Sequence, residues 1–121
     1  MTAVTRTDAP VEIEGSGVEL RMRDIGGDTE VAFVRFPKGT DMRPALKDEP
    51  DGLCQVPHWG YMFKGRLVMH TKEGDRAYEE GEAFYWAPGH APEALEDCEY
   101  VDFSPKKDFE QVISHVKSNL G

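Results

Sequence analysis

The stretch CQVPHWGYMFKG, Cys54 to Gly65, carries a thiol and an imidazole four positions apart, with Trp59, Tyr61 and Phe63 following at once. On an extended strand, residues two or four apart point to the same side. In a regular strand Cys54, His58, Gly60 and Met62 therefore share one face, and the three rings share the other. A thiol and an imidazole on one face have two ordinary uses. They can ligate a borderline or soft transition metal, or they can be core. Cysteine packs as a small hydrophobe, and a histidine after Pro57 can satisfy itself on a backbone carbonyl. The residue types alone leave both uses open.

Little else in the chain has chemical form. The sequence holds no phosphate-cradling glycine loop, nucleophile elbow or C-x-x-C pair. Glu79-Glu80 and Glu96-Asp97 fall at turns and read as solvated charge. His70 lies in a hairpin strand and His115 in a helical segment, both read as exposed or structural. A formal net charge of −9 argues against nucleic acid, because phosphate binding needs a basic footprint, and against an anionic membrane face. No apolar run approaches the length of a bilayer span, and MTAVTRTDAPVEIEG lacks the apolar core of a secretion signal. The expectation is a cytoplasmic protein with Cys54 and Cys98 unpaired.

The elements that must position these residues are short. At 121 residues, 39% hydrophobic and 31% charged, the sequence reads as one globular domain. VELRMRDI (18–25) alternates Val18, Leu20 and Met22 against Glu19, Arg21 and Arg23, then meets a glycine turn. EVAFVRF (30–36) is β-branched and aromatic, and 43–52 is a polar, proline-bearing loop. Hairpins follow: a strand over 53–63, RLVMHT, RAYE, EAFYW, a strand near 92–96, and EYVDF (99–103). Strands this short, with turns this dense, read as an antiparallel sandwich or barrel. Phe109, Val112, Ile113, Val116 and Leu120 then recur at helical spacing. Ser104 or Asp108 is the expected cap.

Two segments resemble the paired motifs of the cupin superfamily. GEAFYWAPGHAP (81–92) carries the glycine, the five-residue gap and the glycine of the turn, at Gly81 and Gly89. Ala87 replaces the motif's first proline, and the family's histidine position falls on Pro92, two residues after His90. Counting back from Gly65 through the other motif puts His58 at the position of the family's glutamate. Cys54 stands at that of its second histidine and Gly52 at that of its first. The resemblance spans about residues 30–104 and keeps the hairpin glycines while changing most ligand positions.

What the resemblance implies is an all-β double-stranded β-helix, or jelly-roll barrel, over about 11–104, with one C-terminal helix over about 106–120. The face bearing Cys54 and His58 would then be the barrel interior, and His90 would approach from the facing strand. Those three residues would form a three-ligand site for zinc, iron or copper rather than magnesium, with Asp51 or Glu93 near enough to complete it. Met62, Phe84, Trp86 and Glu93 would line an adjoining small-molecule pocket. The functional expectation is a small metal-binding cupin that acts on or binds a small organic molecule, as a metal-dependent oxygenase or isomerase-type enzyme. The alternative is a metal-free ligand-binding or sensory barrel, since the histidines expected at Gly52 and Pro92 are missing. Cupins often pair, and the aromatic face of Trp59, Tyr61 and Phe63 suits a homodimer.

Overall fold

The alternation in VELRMRDIG produces what it predicts: Leu20 and Met22 are buried on one side, while Arg21 between them is half-buried and Arg23 beyond them is exposed. The computed structural model describes residues 1–120. Its strands are β1 (Val11–Gly15), β2 (Val18–Gly26), β3 (Thr29–Phe36), β4 (His58–Lys64), β5 (Arg66–Thr71), β6 (Gly74–Glu79), β7 (Ala83–Trp86), β8 (Ala91–Ala94) and β9 (Cys98–Pro105). Helix α1 (Lys106–Leu120) follows β9 directly. One sheet has six strands in the order β1-β2-β3-β9-β4-β7 and the other has three, β6-β5-β8. Every pairing within them is antiparallel. The chain is thus the all-β jelly roll with one C-terminal helix that the sequence implied.

Register fixes what faces inward. Met62 pairs with Tyr100, which pairs with Val34; Gly60 pairs with Asp102, which pairs with Ala32. Gly60 is required there. A Cβ at this position would stand 2.1 Å from the Val101 carbonyl oxygen and 2.4 Å from the Phe84 ring, so β4, β7 and β9 approach closely only because it has none. The helix closes the open end. Phe109, Val112, Ile113 and Val116 are buried against the core, α1 packs on the short turn Pro44–Leu46, and Leu120 is left exposed.

Two local expectations need correction. The segment before β4 is not strand: Pro57 has no N–H to give a ladder, so β4 starts only at His58, and Cys54 lies outside it in an irregular segment. Ser104 is no helix cap either. It belongs to β9, pairs with Glu30, and turns its hydroxyl into the barrel.

Glu30 sits at the helix end of the barrel, buried, with Oε2 lacking any hydrogen-bond partner. Burial pushes its carboxyl up to about 7, and the charge of Glu110 on α1 adds to that. A carboxyl raised on folding stabilises the native state in its protonated form. Its contribution is complete below the unfolded value and is lost as the pH climbs through 7. Glu30→Gln is therefore expected to raise the melting temperature by a few degrees at pH 8 and to leave it unchanged at pH 4. Thermal unfolding at the two pH values checks this.

Candidate metal centre

Cys54 and His90 are brought together by backbone, not by a shared strand. Cys54 N–H donates to the His90 carbonyl (2.8 Å), and the Cys54 carbonyl accepts from Gly89 N–H (2.7 Å) and His90 N–H (3.2 Å). Gly89 makes this possible with φ of 95°, a conformation costly for a side-chain-bearing residue. His58 enters from the first position of β4, opposite Trp86. The result is one buried cluster: a ligand atom from each of Cys54, His58 and His90, all within 4.8 Å of one another. Cys54 Sγ lies 3.7 Å from His58 Nε2, and the two imidazole centroids are 4.9 Å apart.

The cluster is electrically neutral by construction. Burial pushes the Cys54 thiol up to about 12. Burial, then the neighbouring His90, holds His58 well below the usual histidine range, and burial lowers His90 as well. A thiol held protonated beside an uncharged imidazole is a poor nucleophile. Ligation would likewise need the thiolate, which a bound cation would favour by drawing off the proton of the thiol. His90 donates from Nδ1 to the Ala87 carbonyl (2.6 Å), which leaves the lone pair on Nε2. With metal–sulfur and metal–nitrogen bonds of ~2.3 and ~2.05 Å, a tetrahedral S···N edge is about 3.6 Å. The 3.7 Å found between Cys54 and His58 matches it.

No carboxylate joins the three among the described residues. Asp51 pairs with Lys72 at 2.9 Å. Glu93 accepts from His70 Nε2 at 2.8 Å and lies beside Arg43. His70 is thus structural, and His115 likewise bonds the buried Glu49 carboxylate at 2.7 Å.

Beside the cluster is a cavity of about 60 Å³, roofed by Phe109, Val112 and Ile113 of α1 and walled by Met69, Trp86, Pro92 and Tyr100. Of the four residues expected to line a pocket, Trp86 does so. Met62 is wholly buried in packing, Phe84 stacks on the far side of Trp86 with centroids 3.6 Å apart, and Glu93 is drawn away by His70. Trp86 also carries a buried Nε1–H with no partner. Pro92, at the family's histidine position, lines the cavity with no donor to offer.

Two polar residues here were not foreseen, Asp102 and Ser104. Asp102 lines the cavity, and burial pushes its carboxyl up to about 7 against the opposing effect of its Ser104 hydrogen bond. His58 Nδ1 lies 2.5 Å from Ser104 Oγ. The signal available was an aspartate on the inward parity of EYVDF, where the alternation calls for an apolar residue.

No family model and no curated protein matches the sequence. Solved structures do match. Oxalate decarboxylase of Bacillus subtilis, described with Mn(II) centres, aligns with a TM-score of 0.66 at 18% identity over 87% of this chain. This chain spans only 29% of that one. An RmlC-like cupin from Shewanella frigidimarina aligns with a TM-score of 0.61 at 16% identity, over 88% of this chain and 93% of that one. The polyketide cyclase RemF from Streptomyces resistomycificus gives 0.64 at 17%, over 88% and 80%.

Cys54 and Cys98 are both buried and unpaired, with the Cys98 thiol pushed up to about 11. Native, metal-free protein at pH 8 is expected to leave both unreacted with a water-soluble aromatic disulfide while the denatured chain titrates two thiols. Thiol release followed by absorbance checks this.

Proposed function

We propose that this chain, which has the cupin fold, holds one divalent transition metal between Cys54, His58 and His90 and binds or acts on a small organic molecule beside it. The observation that carries the proposal is the convergence of one S and two N donors within 4.8 Å, a buried cluster that no carboxylate joins among the described residues, with Asp102 lining the cavity beside it. A thiolate with two imidazoles selects zinc, iron or copper. It is a poor match for manganese, which prefers oxygen, so the chemistry of oxalate decarboxylase does not travel with the fold. When bound, such a metal supplies Lewis-acid polarisation or an oxygen-activating centre, the basis of an isomerase-type or oxygenase enzyme.

The chain's own residues restrict the organic partner. The cavity lining has no lysine or arginine and is mostly apolar, which suits an uncharged body. The unpaired Trp86 Nε1–H favours a partner with a hydrogen-bond acceptor. At about 60 Å³ the cavity is small against the ~300–1,000 Å³ of most ligand pockets, which favours a small partner. Gly52 and Pro92, standing where the family carries ligand histidines, favour a second use of the same barrel, as a metal-free ligand-binding or sensory module without turnover.

Metal analysis of tag-free protein separates the two. About one equivalent is expected in the wild type, with loss in Cys54→Ser, His58→Ala and His90→Ala. Chelation is expected to lower the melting temperature by several degrees, since a ligand at 100 times its Kd stabilises by about 2.7 kcal/mol. Equal substoichiometric metal throughout, with no shift on chelation, leaves the metal-free barrel.

A second copy of the chain is the occupant proposed for the outer face of β4, β7 and β9. Trp59, Phe63 and Tyr85 are 50%, 52% and 52% exposed, with Tyr61 and Phe103 beside them. Rings this size bury 150–250 Å² each when covered. Five of them half-open leave roughly 500 Å² of apolar surface toward the ~800 Å² per partner of a standard interface. Light scattering is expected to give a dimer for the wild type and a monomer for Trp59→Glu. The reduced state of both cysteines fits a cytoplasmic setting for this assembly.

A further inference from the structure

We infer that Ser104 and Asp102 are positioning residues of the metal centre, a hydrogen-bonded pair that holds His58 in the tautomer whose free lone pair faces Cys54. The inference rests on the metal-site proposal for its purpose, but its geometry stands apart from it. Ser104 Oγ donates to Asp102 Oδ1 at 3.3 Å and lies 2.5 Å from His58 Nδ1. A serine hydroxyl has one hydrogen. Spent on Asp102, it cannot also point at His58, so the hydroxyl must accept there and His58 Nδ1 must carry a proton. A neutral imidazole has one N–H. The lone pair is therefore on Nε2, the atom 3.7 Å from Cys54 Sγ.

The strands build this chain of contacts. Asp102 and Ser104 are two apart on β9, hence on one face. Asp102 pairs across to Gly60 on β4, two residues from His58. All three side chains are buried, so no bulk water competes to solvate His58 Nδ1. An unfixed hydroxyl would be free to donate to Nδ1 instead and move the imidazole proton to Nε2. That tautomer offers no lone pair to a metal at the position the other two donors share. His90 reaches the same state differently, through the Ala87 carbonyl, which can only accept. Asp102 thus makes a hydroxyl behave as a carbonyl does. Acceptors behind ligating histidines commonly serve this way.

The test uses the full-length protein at pH 8, metal-free and then titrated with zinc. In the metal-free wild type, ¹⁵N-detected imidazole spectra are expected to show His58 protonated at Nδ1. Ser104→Ala is expected to mix or reverse that tautomer and to weaken zinc affinity in chelator competition by about 10–100-fold. Ser104→Thr, which keeps the hydroxyl, is expected to restore both. Asp102→Asn, which removes the carboxylate and adds a donor, is expected to shift the tautomer without changing His90. A wild-type His58 protonated at Nε2, or a Ser104→Ala variant with unchanged tautomer and affinity, would overturn the inference. A wild type with the Nδ1 proton that responds to Ser104→Ala but takes up no zinc would uphold the hydrogen-bonded pair and remove the metal reading. If Ser104→Ala does not fold, the wild-type tautomer and the Asp102→Asn and Ser104→Thr spectra still decide it.

Discussion

The exchange of backbone hydrogen bonds between Cys54 and His90 is the constraint on which the rest of the centre depends. Neither residue lies within a regular ladder of the large sheet. Cys54 follows a proline-bearing loop, and His90 follows the turn after β7. Without their bridge the two would be set by separate loops, and loops alone position side chains loosely. With it, thiol and imidazole are fixed to one another by three main-chain bonds, and the rigid start of β4 need bring only His58. Gly89 bears the conformational demand of the turn.

Packing around this bridge turns polar groups into uncharged ones. The thiol and both imidazoles keep or lose protons in whichever direction makes them neutral, because burial opposes charge. Asp102 and Glu30 follow the same rule from the acidic side. The thiol and the two imidazoles are thus held neutral, while the carboxyls of Asp102 and Glu30, raised only to about 7, ionise above that pH and Asp102 then serves as an acceptor.

The fold was legible because strand alternation, hairpin glycines and the apolar stripe of Phe109, Val112, Ile113 and Val116 are local patterns that packing then obeys. The three putting-together residues of the centre were legible in identity but not in means. Parity along a single strand brought Cys54 to His58 on paper, whereas Pro57 interrupts that strand and the His90 bridge does the work. Met62, Phe84 and Glu93 share the inward parity or proximity that suggested a pocket. Which inward residue touches the cavity depends on how the Phe84 and Trp86 rings stack and on the long-range contact of His70 with Glu93, neither of which alternation reveals. Ser104 was misread because the Ser-Pro pair before a helix is also a capping signal. Only the β3–β9 register shows that its hydroxyl is turned inward.

Helix α1 gives the centre a time-scale as well as a roof. Phe109 packs its ring 4.9 Å from that of His58, and Val112, Ile113 and Val116 line the cavity beside it. Access past this side of the cavity depends on how firmly the apolar stripe of the helix is held to the barrel, because a packed element opens locally at a frequency set by its own stability. On that side, exchange between the cavity and solvent follows the lifetime of a packed helix.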